Sequence, residues 1–248
     1  MRDELKKGAG YCILVDYEAD ALGTPDKKDP SRSIQDTVFD AIKYVNFAIW
    51  LAQRAGFGFF CVIHGHETNH EWLFRQLFEV QSTCPLPAYQ HNQLDTSDFL
   101  KASELFSVLQ ALRPSLRMTA DAAAVALTQK DFPLRFLIFW LVIESLFGPE
   151  DAREITFRLS QHVALFLGEN PPEAREIFEK VKLSYRWRSK LVHGIRLSKL
   201  TKEKSSELIN DLEDIVWRSL RKTFGDTELM KRFETRERET FLDDLAFE

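Results

Sequence analysis

The sequence predicts a mainly α-helical protein whose helical part is preceded by a smaller α/β segment. Three observations carry this. From about residue 95 to residue 224, apolar residues recur at three- and four-residue intervals, the signature of helices with one buried face. Proline and glycine punctuate that stretch at 114, 133, 148–149, 168 and 171–172, where helices should begin and end. Ahead of it, Tyr11-Cys12-Ile13-Leu14-Val15 and Phe57-Gly58-Phe59-Phe60-Cys61-Val62-Ile63 are short apolar runs bounded by glycine, which read as strands. The expected division is an α/β segment at 1–90, a helical domain at 95–224 and a charged tail at 225–248. Pro85 and Pro87 mark the first boundary, within 83–93.

Element by element, Ser33 caps a helix in which Ile34, Val38, Ile42, Val45 and Ile49 share a face. A further helix is expected over 71–81. Thr96 or Ser97 opens the next, which Pro114 ends; Thr119 starts another, and Pro133 divides it from the apolar run 136–147 that stops at Gly148. Ile155, Leu159, Val163 and Phe166 form one face of the following helix, closed by Gly168. Asn170-Pro171-Pro172-Glu173 is a helix start, with Asn as cap, Pro in the first turn and Glu able to reach back. That helix runs to Gly194, and 200–224 forms one more with Leu208, Leu212, Ile215 and Leu220 inward.

Composition excludes several classes. With 44% hydrophobic residues in 248, the chain can bury a substantial core. Its opening Met1-Arg2-Asp3-Glu4 is unlike a secretory leader. The longest apolar run, 136–143, ends at Glu144, short of the roughly 20 residues a bilayer span needs. Cys12, Cys61 and Cys84 are odd in number and lack C-x-x-C spacing, which gives no disulfide framework and fits a reducing cytoplasm. The net charge of −5 argues against broad nucleic-acid binding, but its distribution qualifies that. Lys182, Arg186, Arg188, Lys190, Arg196, Lys199, Lys202 and Lys204 face one acid, Glu203, in the same stretch. The plainer account of this basic stretch is a solvated helix end with cations favoured by the C-terminal dipole.

Within it, Tyr185-Arg186-Trp187-Arg188-Ser189-Lys190-Leu191-Val192-His193-Gly194 sets an Arg and a His five residues apart at a helix end. Arg188 offers a permanent charge and a fork of donors to a phosphate; His193 can move a proton near neutral pH. Phe178, Val181, Tyr185, Arg188 and Val192 fall on one stripe, so Arg188 faces the core and needs a partner. Glu144, which interrupts an apolar helix on the face of Leu137, Trp140 and Leu141, is the expected one. The plainer reading of that pair is structural. Five residues place His193 about 140° around the helix from Arg188, so one helix aligns them poorly and two copies about a two-fold axis would do better. Tyr185 and Ser189 stand eight and four residues before His193, where they line the same groove or simply pack.

The R-x4-H spacing, with the helices at 136–148 and 154–167 before it, resembles the Apea-like branch of the HEPN helical domains over roughly the C-terminal half. The resemblance implies a HEPN-like helical bundle, a homodimer with a composite site, and a metal-independent endoribonuclease of the kind found in bacterial defence and in toxins, with an antitoxin or other defence partner. Arg188 and His193 would be catalytic; Glu144, Ser189 and Tyr185 would support them; Lys182, Arg186, Lys190 and Arg196 would hold RNA. No cofactor is implied. Many HEPN nucleases carry Asn, Asp or His directly after the Arg, where this chain has Ser189. The alternative is a non-catalytic HEPN dimer that binds RNA, a nucleotide or a protein partner.

A third reading comes from His66-Glu67-Thr68-Asn69-His70, a literal H-E-x-x-H. On a helix it would set two zinc ligands on one face, with the Glu activating water. Here Val62-Ile63-His64-Gly65 reads as a strand entering a turn, which misplaces His66; His64 adds a third nitrogen. His91 reads as loop, and His162 as a helical residue with no partner evident in the sequence.

Overall fold

Local apolar spacing becomes nine helices and one β-hairpin among the residues that the computed structural model describes: 34–54, 61–68, 71–79, 95–149, 154–193, 200–235 and 237–247. The chain is mainly α-helical. Helix α1 (Ile34–Gln53) is followed by strands β1 (Cys61–Thr68) and β2 (Glu71–Glu79). These pair antiparallel, Cys61 opposite Glu79 and Thr68 opposite Glu71, with a register shift between His64 and Gly65. The helix expected over 71–81 is therefore corrected to a strand. Its Trp72, Leu73, Phe74, Leu77 and Phe78 satisfy helical spacing, but so short a run is ambiguous, its aromatics favour a pleated surface, and pairing with β1 decides. The strand at 11–15, the Ser33 cap and the 83–93 boundary lie outside the described residues.

The remaining helices are α2 (Thr96–Ala111), α3 (Pro114–Thr128), α4 (Phe132–Phe147), α5 (Ile155–Leu167), α6 (Pro171–Val192), α7 (Lys202–Phe224), α8 (Thr227–Glu234) and α9 (Arg238–Asp244). Their starts follow capping chemistry. Asp95 caps α2 by accepting from the Ser97 and Asp98 amides, while the Asp98 carboxylate accepts from the Asp95 N–H, a reciprocal box built from two aspartates. Pro114 occupies the first turn of α3, where its fixed φ suits a helix and its missing N–H costs nothing; α3 thus begins ahead of the expected Thr119. Asp131 caps α4, with Pro133 in its first turn. Asn170 caps α6 and Glu173 reaches back to the Glu169 amide. Gly168 lets α5 end against α6, since a Cβ there would meet the Ala174 Cα at 2.7 Å.

The core is arranged around α4, which packs against α3, α5, α6 and α7. Phe136, Phe139, Trp140, Ile143 and Phe147 are almost wholly buried, each withdrawn side chain stabilising by about 1.5–3 kcal/mol. A helix apolar on nearly every side belongs inside. The second half of α1, from Tyr44 to Ala52, is buried nearly all round between α2, α3 and α7, so it shares one core with helices from beyond residue 95. The tail expected at 225–248 folds instead as α8 and α9, with Phe233 and Leu242 buried. Widely spaced Phe and Leu among charges anchor two short helices that could not persist in isolation.

Three helix C-termini are closed by basic or aromatic donors from elsewhere in the chain. The Trp50, Leu51 and Ala52 carbonyls of α1 accept from Trp217 Nε1 and Arg221 of α7. At the end of α5, the Phe166 and Leu167 carbonyls accept from Lys222 and Arg218. At the end of α4, the Ser145, Phe147 and Gly148 carbonyls face Arg238 and His162. A helix leaves its last carbonyls without internal partners and carries partial negative charge there, so cationic donors suit each position.

Candidate functional site

On α6, Ile177, Val181 and Ser184 are buried, and the same stripe continues through Arg188 to Leu191. This shifts the expected Phe178–Tyr185–Val192 face slightly: Phe178 and Tyr185 flank the stripe, and Val192 is exposed. Trp140 of α4 fixes the two helices by donating from Nε1 to Ser184 Oγ at 3.1 Å. Its indole also meets the Tyr185 ring edge-on, 5.4 Å between centroids. Arg188 lies 5.8 Å from the Tyr185 ring centre. Trp140, Tyr185 and Arg188 thus form a stepped platform leading from the core to the surface.

Arg188 Nη2 reaches both oxygens of Glu144, at 2.9 and 3.0 Å, so the expected pair forms. It forms at the edge of the core, with side chains 29% and 28% exposed, because the apolar stripe of α6 runs out there. Among the described residues no second acceptor meets the guanidinium fork, part of which can take a phosphate oxygen. The energetic consequence is smaller than for a fully buried pair: Glu144→Ala should cost about 1–2 kcal/mol, between surface and buried ion pairs. Urea unfolding measures this, and an unchanged midpoint would show that the pair holds nothing.

His193 is the C-cap of α6 and is exposed; its backbone N–H donates to the Ser189 carbonyl at 3.1 Å. Among the described residues, no hydrogen bond or ion pair joins its ring to Arg188. Ser189 is half-buried, Arg186 exposed. Lys190 sits 4.2 Å above the Trp187 ring, and Lys182 lies 5.4 Å from that of Phe178, contacts that hold cations over apolar surface without consuming their charge. Arg196 and Gly194 lie outside the described residues. The C-terminal half of α6 therefore presents Arg186, Arg188, Lys190 and His193 with Trp187 and Tyr185 between them.

The H-E-x-x-H segment is placed differently. His64, His66 and Glu67 belong to β1, with His66 opposite Leu73 and Glu67 opposite Trp72; His70 is outside the described residues. The zincin geometry needs two histidines one helical turn apart, and a strand does not provide it.

Among the polar clusters that escape sequence reasoning are two with members almost wholly buried. Arg135 Nη2 meets Glu213 Oε2 at 2.6 Å with side chains 10% and 2% exposed, and Trp50 Nε1 donates to Glu213 Oε1 at 3.3 Å. Burial pushes the Glu213 carboxyl up despite the opposing Arg135 charge. The signal was present, since Arg135 interrupts an apolar helix as Glu144 does. The other cluster is His162 with Asp243 and Arg158, joining α5 to α9. No local pattern announces it. Among the described residues no helix is long and apolar enough to cross a membrane. No family model, curated protein or solved structure matches this chain.

Proposed function

We propose that this chain is a metal-independent endoribonuclease of HEPN type, with Arg188 and His193 acting in a cleft completed by a second copy. The observation that carries it is the end of α6: a guanidinium held by Glu144 yet part-exposed, followed by an exposed histidine at the helix terminus, among cations stacked on aromatic rings. In this mechanism His193 takes the proton of a ribose 2′-OH as its oxygen attacks phosphorus, and Arg188 neutralises charge gathering on the phosphorane. The bond to the 5′ oxygen then breaks. The products are a 2′,3′-cyclic phosphate and a 5′-hydroxyl that has gained a proton. The reading includes a bundle of HEPN kind formed by the helical part, a smaller α/β unit before it, and a role in defence or as a toxin.

A homodimer is part of this proposal: the resemblance implies it, the angular separation of the two residues motivates it, and exposed apolar side chains support it. Leu183 and Val192 on α6 and Leu134 and Leu141 on α4 are left in water, 38–53% exposed, where pairing would cover them. Light scattering should report about twice the 28.8 kDa of one chain. A monomer at micromolar concentration, with RNA present, would remove the composite site.

One observation favours a second reading, a dimer that binds RNA without cutting it. Arg188 already meets a carboxylate, and among the described residues nothing orients the His193 ring. Incubating a labelled structured RNA with the protein in EDTA separates the two. Cleavage with cyclic phosphate and 5′-hydroxyl ends supports the nuclease; retention on the protein with no cleavage supports the binding module.

A further inference from the structure

His162 of α5 is 2% exposed, and each of its ring nitrogens faces an oxygen. Nδ1 lies 3.0 Å from the Phe147 carbonyl at the end of α4, and Nε2 lies 2.9 Å from Asp243 Oδ1 on α9. A carbonyl only accepts, and a carboxylate only accepts. Both contacts are hydrogen bonds together only when both nitrogens carry protons; the neutral ring sets a lone pair against one oxygen. Asp243 does not supply the missing proton. Burial raises its carboxyl, but hydrogen bonds from His162 and Arg158 outweigh that and hold it below the ordinary aspartate range. The position suits a cation independently, being the same kind of helix C-terminus that Arg221, Lys222 and Arg218 close at α1 and α5. Here the donors are Arg238 and a histidine.

The rest of the contact is built on the same few groups. Arg158, on the helix of His162, meets Glu239 at 2.9 Å and Asp243 at 3.1 Å. Arg238 donates to the Ser145 and Gly148 carbonyls, and Leu242 is buried. Other elements beside α5 do not compete for the ring: α4 offers it a carbonyl, Lys222 and Arg218 of α7 go to carbonyls at the end of α5, and Glu173 of α6 takes Arg218. At seven residues, α9 is too short to hold its helix without docking.

We propose that residues 238–247 are a pH-sensitive latch, held on the junction of α4 and α5 by doubly protonated His162 and loosened as the ring loses a proton with rising pH. At the acid end, Asp243 sets the opposite limit: its depressed carboxyl contributes docking stability above the ordinary aspartate range, lost as pH falls through the depressed value. The latch closes the last turn of α4, the turn that carries Glu144, and so steadies the support of Arg188. Docking can be read without any assay of cleavage.

Hydrogen exchange of the full chain at about pH 6 and about pH 8.5 tests this once rates are corrected for intrinsic pH dependence. Protection of the 238–247 amides should fall about tenfold, as loss of one charge-assisted hydrogen bond allows, while α7 stays protected. Asp243→Asn should abolish the change, because an amide N–H can face the lone pair of a neutral ring while Nδ1–H serves Phe147. Nitrogen-15 shifts of His162 should show both ring nitrogens protonated at pH 6. Equal wild-type protection at both pH values, a singly protonated ring at pH 6, or an undiminished fall in Asp243→Asn would each overturn the latch.

Discussion

Replacing His193 by alanine is expected to slow cleavage of single-stranded RNA by about 10²–10⁴-fold, the usual contribution of a proton-transferring group. The fold should be untouched. His193 is exposed at the end of α6, and its structural bond to Ser189 comes from the backbone N–H, which alanine keeps. The melting temperature and oligomeric state should match wild type, so a lost rate reports chemistry. Arg188→Ala should lose activity by a similar factor but is the less clean probe, because it strands the Glu144 carboxylate. DNA should resist both proteins, since the attacking 2′-OH is missing. Equal cleavage by wild type and His193→Ala, or products with 5′-phosphates, would sink the mechanism.

The largest stability loss is expected elsewhere, at Glu213→Ala, by about 3–5 kcal/mol, the cost of removing one partner of a buried ion pair. Alanine would leave Arg135 charged and unpaired in the core, orphan the Trp50 indole N–H, and open a space between α1, α4 and α7. Glu213→Gln keeps volume and acceptor, and its effect carries a defined pH dependence. Because the folded-state carboxyl is raised, the wild type is relatively most stable below the ordinary glutamate range and loses that advantage as pH rises through the raised value. The gap between Gln variant and wild type should therefore narrow with rising pH. Urea unfolding of both at pH 4.5 and pH 7.5, roughly spanning the start of that range, checks it; a gap that widens would mean that the Arg135 attraction exceeds the burial penalty.

Most helical boundaries from α2 to α7 were legible because caps, first-turn prolines and apolar spacing act within a few residues; the exception is the start of α3, which lies at Pro114 and not at Thr119. Asn170 and Asp131 cap where short-range chemistry puts them. The Glu144–Arg188 pair was also legible, since a charge that interrupts an apolar helix must find a counter-charge. What failed was non-local. The run 71–79 is a strand because β1 pairs with it, and the expected tail folds because Phe233 and Leu242 find the core.

By itself, then, the sequence determined the buried faces of α5 and α7, that of α6 only to within a small rotation, and that Arg188 would meet an acid, because these follow from periodicity along one chain segment and the cost of an unpaired charge. Tertiary structure alone decided how exposed that pair is, and which of 33 cations and 38 acids meet across long loops. His162 and Asp243 are separated by 81 positions, and Arg135 and Glu213 by 78. No local pattern distinguishes such partners from their many equivalents; only packing brings them within hydrogen-bond reach.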